Sequence, residues 1–288
     1  MDYSGIVAAI KKQIKNNKAL VFVSGGVDSA VTAALAKEAL GKNAVYYFIE
    51  NGLQRKGESK RIRAIFRNIG IDVIIFNARE EFLQKLSGCI TGPEKRDLLG
   101  NLLMEKAIQI AETEKARHLV FGTIKNDLMV CREDVDNIPG FELVEPLRGF
   151  TKDQAIKIAK CLRLPEELWT KQHFPGVGFA VRIDGKVTKG KLALVRNLTE
   201  LVEATIREMG LDKTLWGYFP FLLSKGVNGK RAIALRLVES ELGLMAEIPE
   251  INKRQLIELR DKIFRAKPEI ERVYLDLTPK PIALIEWM

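Results

Sequence analysis

The order of residues predicts an α/β fold, a doubly wound and mostly parallel sheet, followed by a smaller C-terminal α+β domain. Three observations carry this. Before Cys161, short apolar and β-branched runs alternate with longer segments of helical spacing, as expected of strands covered on both faces by crossover helices. The first such run, in ALVFVSGGVDS (Ala19 to Ser29), passes through a serine–glycine–glycine turn straight into a helical pattern. After Leu164 the alternation stops. LPEELWTKQHFPGVGFAVR is rich in turn formers and aromatics, and beyond it two apolar runs flank the glycine-rich SKGVNGK. The resulting division is residues 1–165 and 180–288, joined by the aromatic segment.

The elements follow in order. Tyr3 to Ile14 has the spacing of an amphipathic helix. Leu20 to Val23 is a buried strand, and Val27 to Leu40 a helix. Ala44 to Ile49 is a second strand that ends in Glu50, Asn51 and Gly52. A helix over Ser59 to Ile69, a strand over Asp72 to Phe76 and a short helix over Glu80 to Leu86 come next. Pro93 suits the first turn of a long helix, Glu94 to Glu114. His118 to Phe121 is a fourth strand with His118 at its entrance, which marks that histidine as structural. The polar stretch Arg132 to Phe141 reads as a loop, Leu143 to Leu147 as a last short strand, and Thr151 as the N-cap of a helix to Cys161. In the second part, Gly185 is the expected turn of a short hairpin, and Lys191 to Met209 is an amphipathic helix. Trp216 to Leu223 and Arg231 to Glu239 pair across SKGVNGK, a helix covers Asn252 to Arg265, and Arg272 to Leu277 is a strand.

Composition narrows the function classes. The chain has no run of about 18 apolar residues, so no transmembrane helix is expected. Met1 to Lys18 ends in KKQIKNNK without an apolar core and does not read as a signal peptide. Cys89, Cys131 and Cys161 are odd in number and widely spaced, which argues against a disulfide framework or a CxxC metal site and for the cytoplasm. The net charge of +9 is spread along the chain and aromatics make up only 7%, so nucleic acid is a weaker expectation than a small polyanion, and no membrane partner is expected.

The chemistry concentrates at SGGVDS. Two glycines permit backbone angles closed to other residues and keep side chains out of the way. Such a turn can wrap N–H groups around an anion, with the dipole of the following helix adding to the attraction. Ser24 and Ser29 can donate hydroxyl hydrogen bonds to phosphate oxygens. Asp28 repels phosphate by itself, but fits if Mg²⁺ lies between. Val27 follows Gly26 where a Walker A loop needs lysine. In parallel sheets, ligands bind beyond the carboxyl ends of the strands, which places Glu50 to Glu58 and Asp127 on the same edge as this turn.

SGGVDS resembles the PP-loop of the ATP pyrophosphatases, and the resemblance implies an adenine nucleotide alpha hydrolase-like fold and ATP cleaved between its α- and β-phosphates. ENGLQRKGE, GPEKRDLLG, LVEPL, HFPGVGFAVR, ALRLVES and KPIALIEW, in that order, are similar to the ATP pyrophosphatase part of the GMP synthetase family over nearly the whole chain. This implies a separate, archaeal-type subunit that converts XMP to GMP with ATP and ammonia. It also implies a glutamine amidotransferase partner and a homodimer built through the C-terminal domain. By the resemblance, Ser24, Gly25, Gly26, Val27, Asp28 and Ser29 hold the pyrophosphate of ATP. Asp28 and Asp127 hold Mg²⁺, and with Ser29 form the catalytic set. Phe48 and Gly52 help form the adenine and ribose pocket. Lys280 and Glu286 contact the xanthine nucleotide, with Arg182 and Ile285 nearby. The chain differs from the family pattern in Glu50 for Asp, in GTIKNDLMVC for GTLYPDVIES, in a shorter loop without histidine at REDVDNIPGF, in FPGVGF for FPGPGL and in Met288 for the final Glu. Two other readings stay open. A sulfur-transfer enzyme of the same superfamily would use Cys131 on the ligand edge, and a non-catalytic paralogue would bind ATP without cleaving it.

Overall fold

The computed structural model describes residues 2–125, 127, 138–170, 172, 174–224, 226, 230–240, 247–279 and 287. The chain divides into two compact units that interleave along the sequence. The first comprises Met1–Glu50, Gly57–Ala78 and Asn101–Lys171, the second Asn51–Lys56, Arg79–Gly100 and Gln172–Met288.

The first unit is built on five parallel strands: β1 (Ala19–Phe22), β2 (Ala44–Glu50), β3 (Val73–Asn77), β4 (His118–Val120) and β5 (Glu142–Val144). Their order is β3-β2-β1-β4-β5, so the sheet changes direction between β1 and β4. All four residues of central β1 are buried, as a strand covered on both faces requires. Its register sets Ala19 beside Ala44 and beside His118, so the neighbouring strands start level and their exits share one edge.

The helices of this unit are α1 (Ser4–Ile14), α2 (Val27–Leu40), α3 (Glu58–Asn68), the greater part of α5 (Gly92–Glu114), α6 (Lys152–Cys161) and the short α7 (Glu167–Thr170). Ile10 and Ile14 of α1, Ala30 to Ala36 of α2 and Ala155 to Ala159 of α6 enter one apolar core with β1 and β2. Small alanines on α2 let its neighbours approach closely, so the helix that follows the glycine turn is packed along most of its length. The expected cap of α6 is present in full: Thr151 accepts from the Gln154 N–H, and the Gln154 side chain accepts from the Thr151 N–H. The strand expected over Leu143 to Leu147 is shorter. Pro146 has no N–H for a ladder, and the chain turns there, with Arg148 N–H donating to Glu145 O and Phe150 N–H to Leu147 O.

The second unit contains α4 (Arg79–Lys85), the start of α5, α8 (Lys189–Glu208), α9 (Lys253–Ala266) and a mixed three-stranded sheet. β6 (Gly217–Leu223) and β7 (Arg231–Val238) are antiparallel, as the paired apolar runs predict, and β8 (Ile270–Leu275) joins β7 in parallel. Gly217 to Leu222 are buried inside this unit, so that apolar run is core. The hairpin expected at Gly185 does not form. Gly185 sits in a left-handed turn between the 3-10 segment Phe179–Arg182 and α8. The residues that would pair with one another bond elsewhere: Ile183 bridges to Leu222 in parallel, Asp184 accepts from Ser224, and the buried Lys95 ammonium donates to the carbonyls of Ile183 and Gly185.

Candidate active site

The turn after β1 lies where the strand order reverses, the place at which open parallel sheets bind ligands. Gly25 adopts φ +82°, a left-handed conformation that favours glycine, and a Cβ there would stand 2.9 Å from Ile62. Gly26 is the N-cap residue of α2, and among the described residues no side chain caps that helix. The hydroxyls fold inward: Ser29 Oγ accepts from the Ser24 N–H at 3.1 Å and donates to Gly26 O at 3.0 Å, while Ser24 Oγ donates to Ser29 Oγ at 3.1 Å. A turn braced by its own serines, opening onto a 14-residue helix without a side-chain cap, is built to receive an anion at the helix N-terminus. Arg61 of α3 adds a brace from outside, donating to Gly25 O at 3.3 Å and to Glu58 at 2.7 Å.

Gly122, just past β4, supports the turn from the next strand. A Cβ on it would stand 2.7 Å from Ser29 N, 2.8 Å from Ser29 Cα and 2.9 Å from Asp28 C. Glycine is therefore required by close backbone approach, and the exit of β4 is in contact with the first turn of α2. Beyond Gly122, Thr123 Oγ1 donates to Glu145 at 2.5 Å, and Arg148 donates to the other oxygen of Glu145 at 2.5 Å.

Asp28, in the first turn of α2, meets Lys152 in the first turn of α6, with Lys152 Nζ donating to Asp28 Oδ2 at 2.6 Å. Asp28 Oδ1 is buried without a hydrogen-bond partner among the described residues. Asp127 is exposed as a residue and accepts from the Ile124 N–H at 3.0 Å. Its carboxyl group nevertheless sits above the ordinary Asp range. Desolvation by the surrounding protein is the main cause; the Ile124 N–H opposes it, the charge of Asp28 reinforces it, Lys152 opposes it and Glu145 adds to it. A buried oxygen with no donor, beside a second carboxylate that feels its charge, suits a divalent cation. Among the described residues no group of three or more His, Cys, Asp and Glu side chains is placed to hold a metal ion. Mg²⁺ takes one or two carboxylates and completes its shell with water and phosphate oxygens.

The other residues singled out in the sequence lie as follows. Phe48 is buried in the core of the first unit, on β2 opposite Ile75 of β3. Gly52 belongs to the second unit, with φ +71° and Arg79 against it. Arg182 is fully buried, its guanidinium 4.7 Å from the ring of Phe219, 5.7 Å from Phe179 and 5.8 Å from Phe174. Lys280, Ile285, Glu286 and Cys131 lie outside the described residues. Sequence reasoning missed Lys152 and Gly122. Gly122 carried a signal, since it follows a strand on the ligand edge just as Gly25 does. Lys152 carried none beyond its place after a capping threonine.

A parallel sheet of this order, whose first strand runs through SGGVDS into an uncapped helix, defines a nucleotide-binding protein of the PP-loop ATP pyrophosphatase class. Residues 3–178 match the family model described as NAD synthase, and residues 204–287 match the GMP synthase C terminal domain. The chain is 38% identical to a subunit of the glutamine-hydrolyzing GMP synthase of Methanocaldococcus jannaschii, with 98% of this chain and 96% of that subunit covered. It is 36% identical to the corresponding subunit of Archaeoglobus fulgidus over the same shares. It is also 35% identical to the glutamine-hydrolyzing GMP synthase of Pyrobaculum aerophilum, covering 98% of this chain and 60% of that longer one. The chain belongs to the GMP synthase family.

Proposed function

We propose that this protein is an ATP-dependent ligase that adenylylates XMP and aminates it with ammonia, giving GMP, AMP and pyrophosphate. The observation that carries the reading is the anion-receiving turn of α2 with Asp28, Lys152 and Asp127 beside it, in a chain whose full-length relatives are named as GMP synthase subunits. Ser24, Gly25, Gly26, Val27, Asp28 and Ser29 hold the β- and γ-phosphates of ATP against the helix N-terminus. The purine 2-oxygen attacks the α-phosphorus, and ammonia then displaces AMP. No side chain acts as a nucleophile, so the work of the site is charge placement. Lys152 sets a cation next to Asp28, where it offsets carboxylate and phosphate charge together. Asp28 and Asp127 are the residues that would hold Mg²⁺, which when bound supplies positive charge to the departing pyrophosphate. Residues 1–165 carry this chemistry. Residues 180–288 carry dimerisation and, through Arg182, Lys280, Ile285 and Glu286, the acceptor nucleotide, while Phe48 and Gly52 serve the adenosine end. Ammonia comes from a separate glutamine amidotransferase subunit in the cytoplasm.

The test is pyrophosphate release from Mg·ATP with XMP and ammonium, against XMP alone and against a tRNA mixture. The expected result is GMP, AMP and pyrophosphate in the first arm, abolished in Asp28→Ala. Release that depends on tRNA and not on XMP would assign a sulfur-transfer type of acceptor instead.

A further inference from the structure

Gly25 and Gly26 leave the middle of the phosphate turn without a side chain to steer it, so the peptide between them is the loosest link of the turn. The serines of the turn cannot hold it. Each hydroxyl has one proton: Ser24 Oγ donates to Ser29 Oγ, and Ser29 Oγ donates to Gly26 O, the next carbonyl along. Gly26 O also accepts from the Ala30 N–H at 3.1 Å. Gly25 O is held from α3 instead, by Arg61 Nη2 at 3.3 Å. Ile62, the next residue of α3, lies against Gly25 as well, 2.9 Å from where a Cβ would stand. Arg61 itself is fixed on two sides. Glu58, at the start of α3, accepts from Arg61 Nη2 at 2.7 Å and from Nε at 3.2 Å, and Glu167 of α7 accepts from Nη1 at 3.5 Å. The turn, α3 and α7 all belong to the first unit.

A trans peptide is planar, with its C=O and the following N–H pointing in opposite directions. Holding Gly25 O toward Arg61 therefore turns the Gly26 N–H away from Arg61. Gly26 is the N-cap of α2, so this N–H stands at the helix N-terminus, beside the orphan N–H groups that receive an anion. The guanidinium is shared between two carboxylates and a carbonyl, so its charge is already engaged before a phosphate arrives. From this we infer that Arg61 is a positioning residue: it locks the Gly25–Gly26 peptide with the Gly26 N–H directed at the pyrophosphate group of ATP, and Glu58 holds Arg61 in that place. Arg61 does not take the phosphate itself. This rests on the reading that the turn binds the β- and γ-phosphates.

The experiment measures direct binding, so it does not depend on turnover. Mg·pyrophosphate and AMP are titrated calorimetrically into the full-length wild type, Arg61→Met, Arg61→Lys and Glu58→Gln, and each variant is checked by thermal melting. Losing a charged donor from the turn should weaken pyrophosphate binding about tenfold or more in Arg61→Met. Arg61→Lys keeps the charge but not the fork that reaches Glu58 and Gly25 O together, and should fall between wild type and Arg61→Met. AMP carries only the α-phosphate, and its affinity should change by less than about twofold, because the turn holds the other two. Glu58→Gln separates positioning from direct contact by sign. An arginine that took the phosphate itself would be released by loss of the competing carboxylate, and pyrophosphate would bind more tightly. An arginine that holds the turn would be loosened, and binding should weaken about threefold or more. Unchanged pyrophosphate affinity in Arg61→Met, tighter binding in Glu58→Gln, or equal weakening of pyrophosphate and AMP overturns the inference. If Arg61→Met does not fold, Arg61→Lys and Glu58→Gln decide the matter. A wild type that binds no pyrophosphate overturns the reading of the turn itself, whereas a wild type that binds it, with variants that bind it equally well, overturns this inference alone.

Discussion

Gly122→Ala tests whether the phosphate turn depends on contact with the neighbouring strand. The added Cβ would face three backbone atoms at 2.7–2.9 Å, all at the start of α2. To reach the 3.4 Å at which ordinary contact begins, the β4 exit and the α2 start must separate by roughly 0.7 Å. Neither side can yield cheaply. Phe121 donates its N–H to Val144 O at 3.0 Å and stacks on Phe22 with centroids 5.1 Å apart. Ser29 and Ala30 are buried, and α2 is wedged against α1 and α6. Overpacking of this kind costs about 1–3 kcal/mol, or about 2–10 °C in Tm for a chain of this size. The displaced residues are Asp28 and Ser29, so the loss of activity should exceed the loss of stability. A misplacement approaching 1 Å lowers turnover about 100-fold. Melting followed by circular dichroism and XMP-dependent pyrophosphate release read the two effects separately. A variant with wild-type Tm and full turnover would refute the claim that β4 supports the turn.

Three further outcomes follow from the same geometry. Lys152→Met removes the ammonium at 2.6 Å from Asp28 and should lower pyrophosphate release about 100-fold or more, with Lys152→Arg recovering part of it. Burial pushes the Lys95 ammonium down to about 8, whereas the unfolded chain keeps this proton to about 10.4. Between those values the unfolded state holds the extra proton, so stability should rise with pH, by at most about 1 kcal/mol per pH unit. Melting curves from pH 7.5 to 10 should show that rise for wild type relative to Lys95→Met; a parallel pair of curves would contradict it. Arg236→Met breaks the nearly buried pair with Asp276, whose oxygen lies 2.8 Å from Arg236 Nε, removes the guanidinium from over the Phe221 and Trp287 rings, and leaves that carboxylate to the N–H and hydroxyl of Thr278. The expected cost is about 3–5 kcal/mol by denaturant titration, and Arg236→Met with Asp276→Asn together should recover part of it.

What was legible in the sequence is what short stretches decide. ALVFVSGGVDS reports strand, turn and helix within eleven residues because the glycine conformation, the helix start and the buried strand are local effects. The capping box at Thr151 and the antiparallel pairing of β6 with β7 were legible for the same reason. Gly185 shows the limit. A glycine between polar residues looks like a hairpin turn, but whether one forms depends on Lys95, 88 residues from Ile183, taking the carbonyls. Lys152 is 124 residues from Asp28, and nothing in its neighbours announces the meeting. Arg61 reads as part of the solvated face of a helix, since periodicity cannot tell a water-facing charge from one that grips a turn. The interleaving of the two units at residues 51–56 and 79–100 is likewise a tertiary fact, invisible to composition and spacing.

The central claim is that ATP is cleaved by attack of the purine 2-oxygen on the α-phosphorus. XMP carrying ¹⁸O at that position, incubated with unlabelled Mg·ATP, ammonium and the protein, tests it in one mass spectrum. The account predicts that the label leaves the purine and appears in the phosphate of AMP as GMP forms. Unlabelled AMP, or label retained in the purine while pyrophosphate is released, would contradict it.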